Sequence, residues 1–173
     1  MEPKDIGELV ENKVIVEHRP SQDRLWQRGF GERKPDHLVL DLKEALFLLE
    51  KKKISIKKRG KAVAKKQLLS IATRRENAFF KKFVVFRDLR EKGFVVKTGF
   101  KFGFDFRVYP KGKRPGEEHS QWVIEVKNQE EKFKMPELSR LVRMAQTLHT
   151  KPLVAVVDAE NEINYYEFGR MVP

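Results

Sequence analysis

Apolar residues recur along this chain with two periods, which divide it into strands and helices. KVIVEH at 13–18 alternates with period two, the pattern of a strand with one buried face. RLWQRGFGERKPDHLVL follows, punctuated as a loop by Gly29, Gly31 and Pro35. In LKEALFLLEKKK, Leu42, Ala45, Leu46 and Leu49 return at helical spacing. Asp41 precedes them at the N-cap position, and Glu44 stands three residues later, as in a capping box. From 51 to 75 the apolar side fades: eleven residues are Lys or Arg and none is acidic, so the stretch reads as a solvated face or linker. Composition changes there, which puts a domain boundary near 72–78.

The second half repeats the alternation of periods. ENAFFKKFVVFRDLREKG carries Phe79, Phe80, Phe83, Val84, Phe86 and Leu89 on one broad helical face and ends at Gly93. FVVKTG, FGFDFRVYP and QWVIEVKN are strands by their β-branched and aromatic content, with KGKRPGEEHS looping between the last two. Pro136 opens the helix PELSRLVRMAQTLHT with Leu138, Leu141, Val142 and Ala145 inward. KPLVAVVD is a continuous apolar run expected of a buried strand, and NEINYYEF is a further strand after an acidic turn at 158–162. Helix, three strands, helix, two strands describes a small mixed sheet with a helix on at least one face. The fold class is α/β, mixed α+β, with an N-terminal domain over 1–74 and a C-terminal domain over 75–173.

Composition narrows the function. At 173 residues, 40% hydrophobic with 13 Phe, the chain can build a real core. Lys and Arg total 37 against 25 Asp and Glu, a formal charge of +12 that attracts polyanions. With no run of eighteen apolar residues and an acidic MEPKDIGELVE start, a cytoplasmic protein without a membrane partner is expected. Cysteine is absent, which excludes disulfides and thiolate metal sites and leaves four His as nitrogen ligands. The 36% charged content is one often met in thermophile proteins.

Two constellations share the C-terminal strands. Asp105 with Glu125 and Lys127 has the spacing of metal-dependent nucleases, in which two carboxylates hold a divalent ion and a Lys steadies the phosphate. Alternation also puts Glu125 and Lys127 on one strand face as an ordinary solvated pair. Tyr109, His119 and Lys151 supply the other. RNA transesterification needs a base for the 2′-OH, an acid for the leaving 5′-oxygen and a cation for the charged phosphorane, and these side chains can fill those roles without metal. An imidazole, near about 6.5, suits the acid; a phenol, near about 10, needs cationic neighbours to act as base, and Lys111, Lys113 and Arg114 are at hand. Taken singly, each of the three also reads as a rim aromatic, a surface histidine and a helix-terminal lysine.

GFKFGFDFRVYPKGKRPGEEHSQWVIEV at 99–126 resembles the signature of the archaeal and eukaryotic tRNA-splicing endonucleases, and SRLVRMAQTLHTKPLVAVVDAENEINYYEF at 139–168 continues the likeness. WQRGFGERKPDHLVLDLKEALFLLEKKKI is similar to that family's N-terminal domain. The resemblance implies a catalytic domain with a restriction-endonuclease-like fold, an N-terminal domain for assembly, and no cofactor or metal. It implies Tyr109 as general base, His119 as general acid and Lys151 as the cation, giving a 2′,3′-cyclic phosphate and a 5′-OH. Leu148-His149-Thr150 precede Lys151 where the family often has a Val-Arg or Val-Asn pair, as if shifted by one residue. The implied substrate is a precursor tRNA with a bulge-helix-bulge, gripped by Arg143 and Arg170 stacking on a bulge base. The implied assembly is a homotetramer, through an acidic loop of Asp158, Glu160 and Glu162 and a strand bearing Tyr165 and Tyr166. The alternatives are a metal-dependent nuclease using Asp105, Glu125 and Lys127, or a non-catalytic RNA-binding subunit.

Overall fold

The apolar periods fold into two sheets, each with its own helices, in a computed structural model that describes residues 5–99 and 102–173. Phe100 and Lys101 of the quoted GFKFG stretch, and residues 1–4, lie outside the described residues. The chain divides into compact units Met1–Phe80 and Lys81–Pro173. No helix among the described residues is long and apolar enough to cross a membrane.

The first unit holds β1 (Asp5–Val10), β2 (Lys13–Val16), α1 (Arg19–Gln27), β3 (Glu32–Arg33), β4 (Leu38–Asp41), α2 (Leu42–Glu50), β5 (Ile54–Lys58), β6 (Lys61–Ala62) and α3 (Lys65–Arg75). Its sheet runs β3-β4-β2-β1-β5-β6, with only the β1–β5 pair parallel. Val14, Val16, Leu38, Leu40, Leu46, Ile54, Ile56 and Leu68 form its core. The capping box is present at α2: Asp41 Oδ1 accepts the Glu44 amide at 2.8 Å and Glu44 Oε2 accepts the Asp41 amide at 3.1 Å.

Two sequence expectations change here. The segment read as a loop after 18 contains α1, whose buried face is polar: Ser21 and Gln22 are buried with Leu25, and Gln22 Nε2 donates to the Glu17 and Asp36 carbonyls. The cationic stretch 51–75 is folded, not a linker. Alternation buries Ile54 and Ile56, and Leu68 and Ala72, one helical turn apart, are the buried residues of α3, so the apolar stripe is too narrow to stand out among the lysines.

The second unit holds most of α4 (Phe79–Glu91), then β7 (Val95–Thr98), β8 (Phe106–Tyr109), β9 (Trp122–Asn128), α5 (Met135–Thr147), β10 (Lys151–Val157) and β11 (Ile163–Glu167). Gly93, at φ 93°, ends α4, its amide bonding the Arg90 carbonyl at 3.0 Å. The sheet runs β11-β10-β9-β8-β7; β9 and β10 are parallel and every other neighbouring pair is antiparallel. A parallel pair needs a crossover, and α5 provides it, its buried Leu141 and Ala145 clustering with Phe104, Val123 and Val154. The mixed α+β architecture read from the sequence is therefore the one observed.

Candidate active site

Sheet topology decides which functional side chains can meet. Because β8 runs antiparallel to β9, its C-terminal end lies beside the start of β9: Val108 pairs with Trp122. Because β10 is parallel to β9, its first residue lies there too: Lys151 pairs with Trp122. The end of β8, the start of β9 and the start of β10 thus share one end of the sheet, Val108 and Lys151 standing about 10 Å apart across two strand spacings. Tyr109 closes β8, and His119 lies on the loop that returns the chain to β9, which is anchored by the Gln121 amide on the Val108 carbonyl at 2.7 Å.

That end of the sheet carries a cleft with two lobes. One, of about 490 Å³, is lined by Phe102, Arg107, Tyr109, residues 116–120 and Leu148, and so contains both Tyr109 and His119. The other, of about 450 Å³, is lined by Ser120, Gln121, Trp122, His149, Thr150, Lys151 and Glu167. Ser120 borders both lobes, and the adjacent residues Leu148 and His149 line one lobe each. The structure brings Tyr109 and His119 into one lobe and Lys151 into its neighbour.

The three side chains differ in their surroundings. Tyr109 is 4% exposed and His119 is exposed. Lys151 is exposed, its Nζ 3.9 Å from Glu167 Oε1. Local backbone sets the position of Lys151: His149 adopts φ 52°, the left-handed form that ends helices, and the Thr150 amide bonds the Ala145 carbonyl at 2.9 Å.

The cations expected around the phenol are arranged differently from the sequence reading. Lys111 Nζ sits 5.5 Å from the Phe94 ring centre, and the Arg114 guanidinium pairs with Glu117, whose carboxyl that hydrogen bond holds below the usual range. The guanidinium against Tyr109 is that of Arg107, 5.9 Å from its ring centre and 5.4 Å from that of Phe102. Sequence reasoning missed Arg107, although alternation puts it on the same strand face as Tyr109. Glu167 was missed too; it joins the cleft only through the pairing of β11 with β10 and carries no local signal.

Asp105, Glu125 and Lys127 form a separate network. Asp105 Oδ1 lies 3.0 Å from Lys82 Nζ and Oδ2 accepts the Val126 amide at 2.7 Å. Lys127 Nζ lies 3.6 Å from Glu137 and 3.7 Å from Glu131. Burial raises the Glu125 carboxyl above its usual range, helped by the Asp105 charge, and the nearest recorded cation is Arg140 at 4.0 Å.

Of the remaining candidates, Arg143 is exposed on α5 and Arg170 is exposed beyond β11, and neither lines the cleft. The Asp158 carboxylate is used inside its own turn, Oδ1 accepting the Glu160 amide at 2.9 Å and the Glu162 amide at 2.8 Å, while Glu160 and Glu162 are exposed. Tyr165 donates its hydroxyl to Asp88 Oδ2 at 2.7 Å, tying β11 to α4; Tyr166 is 52% exposed.

Comparison with known proteins supplies a second line. The sequence model of the family described as tRNA intron endonuclease, catalytic C-terminal domain, matches residues 79–165, and that of the tRNA intron endonuclease N-terminal domain matches 6–69. The chain is 34% identical to the tRNA-splicing endonuclease of Methanothermobacter thermautotrophicus over 92% of its own length and 94% of that protein. It is 34% identical to that of Thermococcus onnurineus, covering 90% of each chain, and 32% identical to that of Pyrococcus abyssi, covering 90% and 96%.

Proposed function

The chain belongs to the tRNA intron endonuclease family, and from that premise we propose that it cuts introns from precursor tRNA by metal-independent transesterification in the cleft at the end of its C-terminal sheet. Tyr109 takes the proton of the 2′-OH. The freed 2′-oxygen attacks the adjacent phosphorus, and Lys151 offsets the charge that gathers on the phosphorane. His119 gives its proton to the 5′-oxygen as the P–O5′ bond breaks, leaving a 2′,3′-cyclic phosphate and a 5′-OH.

The observation that carries this reading is one of adjacency: Tyr109 and His119 line the same pocket, and Lys151 lines a second pocket that shares Ser120 with it. Residues from a strand end, a loop and a second strand start are gathered by register, as an acid, a base and a cation acting on one phosphate must be. The setting of Asp105 also favours it over the two-carboxylate alternative, because a Lys82 ammonium and a backbone amide already use both oxygens of that carboxylate.

Two cuts per intron call for an oligomer with two active copies at a fixed separation, and the family likeness of the acidic turn makes that oligomer a homotetramer. β11 ends the sheet with β10 on one side only, leaving a strand edge for pairing with a second copy. Asp158 shapes the acidic turn, and the exposed Glu160 and Glu162 are its contact groups. Arg143 and Arg170 hold a bulge base between them once RNA is bound. The 1–74 domain serves assembly and the 75–173 domain catalysis.

The test is incubation of the pure protein with a bulge-helix-bulge RNA in EDTA, followed by analysis of the ends. Cyclic phosphate and 5′-OH termini are expected. Loss of all cleavage in EDTA, restored by a divalent ion, would overturn the mechanism.

A further inference from the structure

β5 continues past its buried portion. Ile54 and Ile56 are buried, but from Lys57 onward the β5–β6 hairpin is exposed, with Lys57 opposite Ala62 and Lys58 opposite Lys61. The turn is two residues, Arg59 at φ 49° and Gly60 at φ 77°, the positive values a tight hairpin turn requires, and an added Cβ on Gly60 would meet nothing within 4 Å. The tip therefore stands free within its unit and presents four cations in five positions: Lys57, Lys58, Arg59 and Lys61.

This arrangement opposes its own stability. Like charges directly opposite on paired strands repel, as Lys58 and Lys61 do. None of the four has a carboxylate partner for its side chain among the described residues. The nearby Glu8 carboxylate accepts the Arg59 amide instead, at 2.8 Å. Just beyond the hairpin α3 begins with Lys65 and Lys66 and no acid in its first turn, although a helix N-terminus favours negative charge. Lys65 pairs with Glu50 at 2.6 Å, while Lys66 is exposed.

From this geometry we propose that the β5–β6 hairpin docks the phosphate backbone of the substrate RNA, outside the nucleotides held at the cut. The proposal rests on the RNA-cleaving function above. A polyanion relieves the charge repulsion in the tip. Residues 57–61 carry no apolar or aromatic side chain with which to anchor a protein partner, so contact of Lys and Arg with phosphate is the chemistry available. The residues that line the catalytic cleft all belong to the second unit, and none of the hairpin's four cations is among them.

The test compares the full chain with a Lys57→Gln/Lys58→Gln/Arg59→Gln/Lys61→Gln variant on an intact precursor tRNA and on a minimal bulge-helix-bulge RNA, between 50 and 200 mM salt. Each duplex phosphate contact contributes a log–log salt slope of about −0.9, so a fourfold rise in salt weakens binding about 3.5-fold per contact, or about 40-fold for three contacts. The wild type is expected to lose about 40-fold more affinity for the intact precursor over that interval than the variant does, with kcat matched at saturation. Parallel salt plots for the two proteins would overturn the proposal. So would parallel plots with a smaller particle in light scattering, which would make the hairpin a subunit contact. Should the fourfold variant fold poorly, Lys58→Gln/Lys61→Gln is expected to lose about 12-fold less affinity than the wild type. If the wild type cleaves neither RNA, the endonuclease mechanism fails, and filter binding of the intact precursor still decides the hairpin.

Discussion

Glu125 separates the metal-free reading from its rival most sharply, because the two give Glu125→Gln opposite outcomes. The side chain is 16% exposed, and Oε2 has no hydrogen-bond partner among the described residues. Burial, then the Asp105 charge, raises its carboxyl above the usual range, while Lys127 and Arg140 pull the other way. Gln keeps the shape and removes the charge. A buried polar atom without a partner costs about 1–3 kcal/mol, more when charged. Losing the pairing with Arg140, itself 45% exposed, gives back at most about 1 kcal/mol. The variant is therefore expected to be more stable at pH 7 by about 0.5–1.5 kcal/mol, a rise in Tm of about 1–6 °C for a chain of this size. The sign follows from linkage. A raised folded-state value means the group favours folding below its unfolded value of 4.5 and loses that contribution as pH rises, so the Gln advantage exists at neutral pH and vanishes on acidification. Urea titrations at pH 7 and pH 4, with cleavage assays in EDTA and in magnesium, read both arms. A variant less stable by 1 kcal/mol at pH 7, or one cutting orders of magnitude more slowly, would mean the Glu125 carboxylate is in use, and the reasoning would be wrong.

Three further outcomes follow from the same structure. His119→Ala is expected to slow single-turnover cleavage by about two to four orders of magnitude while filter binding of RNA changes little; an equal loss of binding would make His119 a contact and not the acid. Tyr165→Phe removes the hydroxyl bonded to Asp88 and should lower stability by about 1–2 kcal/mol in urea. Burial, then the Asp88 bond, pushes the Tyr165 phenol far above its ordinary 10.0, so the wild type loses this stabilisation as pH rises beyond 10, and the Phe variant should decline less steeply there. Glu160→Gln/Glu162→Gln is expected to convert tetramer to dimer in light scattering, and an unchanged mass would remove the acidic turn from the interface.

What the sequence revealed depended on whether apolar or polar side chains carried the structure. α2 was legible because its capping box and its apolar face coincide, β9 through its aromatic and β-branched residues, and β10 because it is a nearly continuous apolar run. α1 was hidden because it buries Ser21 and Gln22, held by hydrogen bonds of Ser21 Oγ and Gln22 Nε2 that no periodicity records. β1 was hidden by Gly7, which is needed where β1 crosses β2: a Cβ there would lie 2.4 Å from Val14 Cγ1. In the cleft, Tyr109, His119 and Lys151 could be named from the residues and the family likeness, but the cation beside Tyr109 could not. Lys111, Lys113 and Arg114 follow Tyr109 in the loop, whereas strand alternation turns Arg107, two residues before it, onto the Tyr109 face.

The one-residue offset at Lys151 yields to the same kind of reasoning. Side chains alternate along β10, so either residue 150 or residue 151 can face the cleft mouth with its polar end, but not both equally. Thr150 has a buried hydroxyl without a partner among the described residues, while Lys151 is 67% exposed at its side chain. The left-handed His149 fixes this choice by ending α5 where the next amide can reach the Ala145 carbonyl, and Ala145 is itself held by the core beneath α5. The position of the cleft's lysine thus depends on the packing of Leu141 and Ala145, two turns of helix away from any chemistry. A cavity made there, as by Leu141→Ala, would cost about 2–5 kcal/mol and should weaken cleavage through Lys151 before it unfolds the sheet. For this reason the offset from the family pattern counts as a property of the helix end, and Lys151 stays the residue proposed to meet the phosphate.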